Sequence, residues 1–414
     1  MLMLRRFAMI DLREELKRSF LGYAAFDTMS DPSQVGVKRP TTDGQVVLLE
    51  ALAKELEELG LDVCFGKERV VRGVLKGNAE GESVGFMAHV DTADDVPGNG
   101  VKPVIHSKYD GKDIVLNGTV IRAEDNPDLA SYVGGEIITS DGTTLLGSDD
   151  KAGVAIIMEA VRYLVAHPEI KHPDVEVYFT PDEETGAGMA EFPYDSVSSG
   201  TVYTVDGGRE GEIECECFNA ASIAIQIEGE SIHLGSARGI LVNALTIASR
   251  ILTSLPQSES PESTDGRYGY YCPTSLSGTA SKADMEIIIR DFDGESFQRR
   301  IDAVEAVVKA IAMIYKGKAS IKTHISYRNM VEANRSNPKA KSAVFETGKA
   351  LGIDMEESII RGGTDGARLA EKGVSCPNLY TGGHNLHSLH EWVSVDAMNS
   401  SANLVLGIIG YFAE

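Results

Sequence analysis

Four short apolar runs in this chain each break off into acidic or histidine residues, and that arrangement narrows the fold more than any other feature. Residues 84–87 (VGFM) lead to Ala88, His89, Val90 and Asp91. Residues 175–180 (VEVYFT) lead to Pro181, Asp182, Glu183 and Glu184. Residues 201–205 (TVYTV) lead to Asp206, Gly207 and Gly208, and residues 378–381 (NLYT) to Gly382, Gly383, His384 and on to His387. A fifth candidate, Asp149, ends the run 145–148 and stands just before a long helical stretch. In parallel α/β sheets, ligands gather outside the carboxyl ends of the strands. The five groups are therefore placed to converge on one crevice.

The segments between these runs read as helices. Residues 44–60 carry apolar positions at helical spacing and stop at Gly60, and residues 152–166 (AGVAIIMEAVRYLVA) read as a buried helix. A first helix is expected over residues 12–20 after a ragged start at Met1–Arg6, with Met9 as an alternative beginning. Together with a strand at 70–74, the alternation predicts an α/β fold with a mostly parallel, helix-covered sheet. The pattern then changes. Residues 221–228 (ASIAIQIE) alternate strictly, as a half-exposed strand does. A helix at 242–254, a Ser/Pro/Gly-rich loop at 257–279, a strand at 284–290 and a helix at 296–315 follow. That order predicts a smaller α+β domain with helices on one face of an antiparallel sheet. The expected division is a discontinuous catalytic domain, 1–218 and 326–414, with a lid domain, 219–325, inserted.

Composition excludes several function classes. With 62 acidic against 39 basic residues the net charge is −23, which repels phosphate backbones and argues against a nucleic-acid partner. No stretch approaches the roughly 20 apolar residues of a membrane span, so no membrane partner is expected. The five cysteines are odd in number and sparse, and the opening MLMLRRFAMIDLREEL has too short an apolar run for a signal peptide. Both point to reduced thiols in a cytosol. Cys215 and Cys217 alternate with Glu214 and Glu216 and read as the buried face of a strand.

Histidines with several carboxylates suit Zn²⁺, and this set is rich enough for two ions. A pair such as Glu183/Glu184 can divide the labour, one ligating and one accepting a proton from water. In His89-x-Asp91 the aspartate can orient the imidazole. Each motif alone has an ordinary reading. His89-x-Asp91 is most often a satisfied surface pair. Asp182 reads as the N-cap of a solvated helix start, Asp206-Gly-Gly as a turn, and Asp149-Asp150 as helix capping. His387 to His390 reads as a solvent-facing loop. The occurrence of all five in order, each at a strand exit, outweighs these. Cys376 reads as core, Trp392 as packing beside the site, and Lys151 as a partner of Asp150, a helix cap or a support behind the site. The run RGGTDG (361–366) lacks the Gly-Lys of a phosphate loop, and its Asp365 reads as a turn stabiliser.

The stretches GFMAHVDTA, ITSDGTTLLGSDDKAGVA, FTPDEETGAG, YTVDGG, IIIRDFD, RGGTDGARL, CPNLYTGG and HSLHEWV carry a family resemblance. From about Leu16 to its end the chain resembles the M20 family of di-zinc metallopeptidases, and within it the peptidase T group of tripeptide aminopeptidases. The resemblance implies two zinc ions per chain, or other divalent ions in their place. It implies His89 and Asp206 as ligands of one ion, His387 and Glu184 of the other, and Asp149 as the bridge. It implies Glu183 as general base, Asp91 as the acid orienting His89, and His233 as a lid histidine that holds the oxyanion. Asn243 and Arg290 match lid positions that contact substrate. A short peptide substrate and a homodimer are implied as well. The sequence departs from the family at His233-Leu234-Gly235, where His-Pro-Gly is common, and at His384-Asn385, where Tyr-Asn is usual. A dipeptidase, carboxypeptidase or deacylase on the same fold would share the metal set. A non-catalytic binding protein would lack a ligand or the base, and none is missing here.

Overall fold

The protein was analysed as a computed structural model that describes residues 9–413; the ragged start expected over Met1–Arg6 lies outside them. The chain forms two compact units. One comprises residues up to Cys215, Met330–Ser358 and Thr364 onward; the other comprises Glu216–Asn329 and Ile359–Gly363.

The first unit is built on an eight-stranded sheet. In spatial order its strands are Asp62–Phe65, Val71–Leu75, Val175–Thr180, Val84–His89, Val202–Gly207, Asn378–Tyr380, Glu212–Cys217 and Glu356–Ile360. The central four run parallel to one another; Asp62–Phe65, Val71–Leu75 and Glu212–Cys217 each pair antiparallel with a neighbour. The residues explain the difference. Val84–His89 and Val175–Thr180 are buried at every position, as strands covered on both faces must be. Asp62–Phe65 and Glu212–Cys217 alternate, with Cys215 and Cys217 on the buried side and neither in a disulfide.

Helices Arg13–Ala24, Asp43–Glu58, Ser148–Ala166, Pro338–Leu351 and Val395–Phe412 contribute to one continuous apolar core with this sheet. Ser148–Ala166 and Val395–Phe412 are buried almost all round. A second cluster contains Val70, Met87, Tyr178, Phe192, Leu369 and Cys376, which places Cys376 in core packing. A smaller four-stranded antiparallel sheet joins Gly383–His384, Trp392–Ser394, Glu136–Thr139 and Val104–Ser107, and Trp392 is buried there beside Tyr132.

The second unit is a four-stranded antiparallel sheet in the order Tyr270–Gly278, Lys282–Asp291, Asn219–Glu228, Lys318–Tyr327. Helices Ala244–Ser254 and Gly294–Ile314 pack on its apolar face through Ile247, Ile251, Phe297, Ile301 and Val304. The stretch expected as a loop over 257–279 contains the edge strand Tyr270–Gly278. Pro273 and a register shift between Pro273 and Ser275 break its alternation, and an edge strand tolerates the missing N–H. Among the described residues, no helix is long and apolar enough to cross a membrane.

Candidate metal centre

The parallel centre of the first sheet sends four strands out at one edge, and three of them put their chemistry there directly. His89 is the last residue of its strand, Asp206 the next to last of its own, and Glu183 and Glu184 lie in the turn after Thr180. The fourth strand leads through Gly383–His384 to His387. Asp149 comes from the start of helix Ser148–Ala166. That helix lies so close to the strand Val202–Gly207 that a Cβ on Gly153 would come within 1.9 Å of the Val205 carbonyl oxygen. Glycine at this position therefore lets Asp149 reach the side of Asp206.

The carboxylate of Asp149 divides between two histidines. Its Oδ1 lies 2.9 Å from His89 Nε2, and its Oδ2 lies 3.1 Å from His387 Nε2. Each histidine has a second acid of its own. Asp206 Oδ1 is 3.4 Å from His89 Nε2, and Glu184 Oε2 is 3.1 Å from His387 Nε2. Asp149 and Asp150 keep non-helical φ/ψ, so these adjacent carboxylates diverge. Asp150 lies near His89 and Asp206, yet its oxygens accept the N–H groups of His89 and Gly153, both at 3.2 Å. It brackets the strand to the helix, while Asp149 alone faces both imidazoles.

Asp91 has three tasks. His89 Nδ1 lies 3.1 Å from its carbonyl oxygen and 3.4 Å from Oδ1. The same carboxylate accepts the N–H of Glu183 at 3.0 Å and of Glu184 at 3.2 Å, so one buried acid fixes both a histidine and the turn that carries two further acids. Asp182, expected as a solvated N-cap, is instead buried at a left-handed φ of 59°. No helix starts there. Its carboxylate accepts from Thr41 N–H, the Thr41 hydroxyl and the Gln45 amide, and its N–H donates to Gln45 Oε1. That pins the turn from below.

The electrostatics are those of crowded buried anions. Burial, with the charge of Asp149 adding to it, pushes the Glu184 carboxyl up to about 7 and the Asp206 carboxyl up to about 6. Burial also raises Glu183 well above the ordinary range, with Asp206, Asp365 and Glu184 adding to it. Hydrogen bonds to Asp149 and Glu184 carry His387 up to about 11. Burial opposes the charged form of His89, but Asp206, Asp149 and Asp91 outweigh it and raise its pKa well above the usual value. Cations between these groups would relieve the repulsion.

The donor set fits divalent metal. Imidazole nitrogen and carboxylate oxygen are the ligands zinc takes. One ligand atom each from His89, Asp149 and Glu184 lies within 4.8 Å of the others. Glu184 Oε1 is buried with no hydrogen-bond partner, an orphan that a cation would satisfy.

Several supporting residues were not visible in the sequence pattern. Glu391 is buried and accepts the N–H groups of Leu146, Gly147 and Ser148 at 2.6, 3.0 and 2.6 Å, holding the turn that presents Asp149. Only its place in the stretch HSLHEWV marked it. Lys151 is not paired with Asp150; its buried ammonium donates to the Phe26 carbonyl at 2.8 Å. Burial lowers its pKa to about 8, against the pull of Glu391, Asp27 and Asp91. Asp365 is buried, and its carboxyl would clash with any side chain at Gly188, so it packs against the loop that carries Glu183. His384 stacks on Trp392 with centroids 3.9 Å apart, and burial lowers it to about 4, which leaves a neutral ring.

The three remaining residues named from the sequence lie in the second unit. His233 is exposed, just before a short 3₁₀ turn. Asn243 caps helix Ala244–Ser254, its side-chain oxygen accepting from Leu245 and Thr246 N–H. Arg290 donates to the Ile289 carbonyl at 3.0 Å and lies over the Tyr327 ring.

Comparison with known proteins agrees with this geometry. The family model of Peptidase family M20/M25/M40 matches residues 142–410. Peptidase T of Clostridium novyi (strain NT) is 41% identical over 408 residues, covering 97% of this chain and 100% of that one. Peptidase T of Bacillus licheniformis is 40% identical over 410 residues, with 97% and 100% covered. The crystal structure of aminopeptidase PepT from Bacillus cereus ATCC 10987 superposes with a TM-score of 0.78 at 23% identity, covering 98% of this chain and 100% of that chain. A histidine and carboxylate cluster at the strand exits, a family match across most of the chain and near full-length relatives converge on one assignment: the chain belongs to peptidase family M20/M25/M40.

Proposed function

We propose that this chain is a metal-dependent aminopeptidase that removes the N-terminal residue from short peptides, tripeptides above all. The observation that carries the reading is the division of Asp149 between two histidine–acid pairs, 2.9 Å from His89 and 3.1 Å from His387. Relatives named peptidase T at about 40% identity over nearly the whole chain support the substrate class.

In this reading His89 and Asp206 would hold one zinc ion and His387 and Glu184 the other, and Asp149 would serve both. Such a pair, when bound, supplies Lewis acidity toward a peptide carbonyl and acidifies water. Glu183 takes the proton from the attacking water and returns it to the leaving amine. Asp91 keeps His89 in register and fixes the backbone of Glu183 and Glu184, so base and ligand move as one piece. His233 stabilises the oxyanion, and Asn243 and Arg290 contact the peptide, Arg290 through a carboxylate. The enzyme works as a cytoplasmic homodimer.

The test is a tripeptide of three different residues, with products separated by chromatography. Release of the free N-terminal residue and a dipeptide, abolished by a chelator and restored by zinc, is the expected result. Release of the C-terminal residue instead would replace this reading with a carboxypeptidase on the same fold. Cleavage of acylated amino acids or dipeptides alone would replace it with a deacylase or a dipeptidase.

A further inference from the structure

We infer that Asp95 is the positioning residue for His387, an inference that rests on the metal-centre reading above. The two histidines of the centre are held very differently. His89 ends a buried strand, its side chain is 3% exposed, and Asp91 meets its Nδ1. His387 stands in a loop at a left-handed φ of 59°, with its side chain 40% exposed. No sheet hydrogen bond sets the direction of its ring.

What holds that loop comes from the segment 95–126. Asn385 donates to the Asn126 side-chain oxygen at 2.7 Å, and His390 Nε2 lies 2.6 Å from the Thr119 hydroxyl. On the ring itself, His387 Nδ1 lies 3.1 Å from Asp95 Oδ2. A carboxylate accepts but does not donate, so the contact requires the proton on Nδ1. In the neutral ring, the form that ligates, that leaves the lone pair on Nε2, the atom 3.1 Å from both Asp149 Oδ2 and Glu184 Oε2. Asp95 thus selects the tautomer that can ligate and fixes the ring plane, as partners of metal-binding histidines do. Asp91 and Asp95 lie four positions apart on one loop, so a single loop orients both imidazoles.

The experiment loads full-length protein with zinc and follows ion release to a chromophoric chelator, alongside ion content by mass spectrometry. In Asp95→Ala, one of the two ions is expected to leave about 10–100-fold faster, with the other unchanged. Asp95→Asn keeps an acceptor for Nδ1–H and is expected to fall between. Asp94→Ala removes the same charge from the neighbouring position and is expected to release both ions as the unmodified protein does. Thermal unfolding of the ion-free Asp95→Ala protein is expected to match the unmodified chain. Equal release from Asp95→Ala and the unmodified protein overturns the role of Asp95 alone, as does equal acceleration in Asp94→Ala. Release from Asp95→Asn as fast as from Asp95→Ala overturns ring orientation in favour of charge. Fewer than two ions in the unmodified protein overturns the metal centre and this inference with it.

Discussion

Gly153 and Val205 meet so closely that a Cβ on the first would stand 1.9 Å from the carbonyl oxygen of the second. The contact joins the helix that presents Asp149 to the strand that presents Asp206. Replacing Gly153 with alanine forces the two backbones apart. Overpacking of this kind costs about 3 kcal/mol. Denaturant unfolding of Gly153→Ala is expected to show that loss, together with weaker metal retention. A variant as stable as the parent would refute the tight seam between helix and strand.

Asp149 is the only carboxylate described that faces both imidazoles, at 2.9 and 3.1 Å. Asp149→Asn is expected to abolish binding of the pair, whereas Glu184→Gln and Asp206→Asn each keep one ion. Ion content per folded chain decides the matter. Equal losses in all three variants would contradict an asymmetric division of ligands.

Glu183 contributes its N–H to Asp91, and on the proposed reading its carboxyl is the general base. The expected consequence of Glu183→Gln is a fall in kcat of about 10²–10⁴-fold with ion content retained. Near-normal turnover would rule out the general-base role.

The crowded acids predict an unusual pH dependence for the ion-free protein. In the folded chain Asp206 and Glu184 are raised to about 6 and 7, from ordinary values of 3.8 and 4.5. Between these limits the folded chain holds protons that the unfolded chain has released, so stability is full at the acid end and lost as pH rises through 7. His387, raised to about 11 and partly exposed, extends the decline weakly to higher pH. Chelator-treated protein is therefore expected to melt at a higher temperature at pH 5 than at pH 8. The double variant Asp206→Asn/Glu184→Gln should lose the share of that difference that these two acids carry, while Asp365 and Glu214, also raised to about 7 by burial, keep a share of their own. Zinc should remove the share of Asp206 and Glu184 too, because ligation demands the deprotonated forms. An undiminished difference in the double variant would assign the effect to other groups.

Much of the first sheet was legible because Val84–His89 and Val175–Thr180 are buried on both faces and read as short, largely apolar runs. The same runs named His89, Glu183, Glu184 and Asp206 through their position at strand ends. Other parts left weaker traces. Tyr270–Gly278 is an edge strand with exposed serines and Pro273, so it carries no alternation to detect. Gly383–His384 and Trp392–Ser394 are two and three residues long; they pair with each other, and Trp392–Ser394 pairs with Glu136–Thr139 far away in the chain. Asp182, Asp95 and Glu391 act through contacts with Thr41, His387 and Leu146, and a spacing rule sees none of those. Acids at residues 94–95 and 182–184 look like solvated surface until the fold shows what each one grips.

The residues that face one another around Asp149 are drawn from positions 89 to 387, and the last of them follows the final strand of the parallel sheet. A ribosome still making this protein therefore holds an unarmed precursor. A nascent chain, or one cut short before His387, has half a cage and nothing to close it. On the proposed reading, hydrolytic power arrives only with the finished tertiary structure.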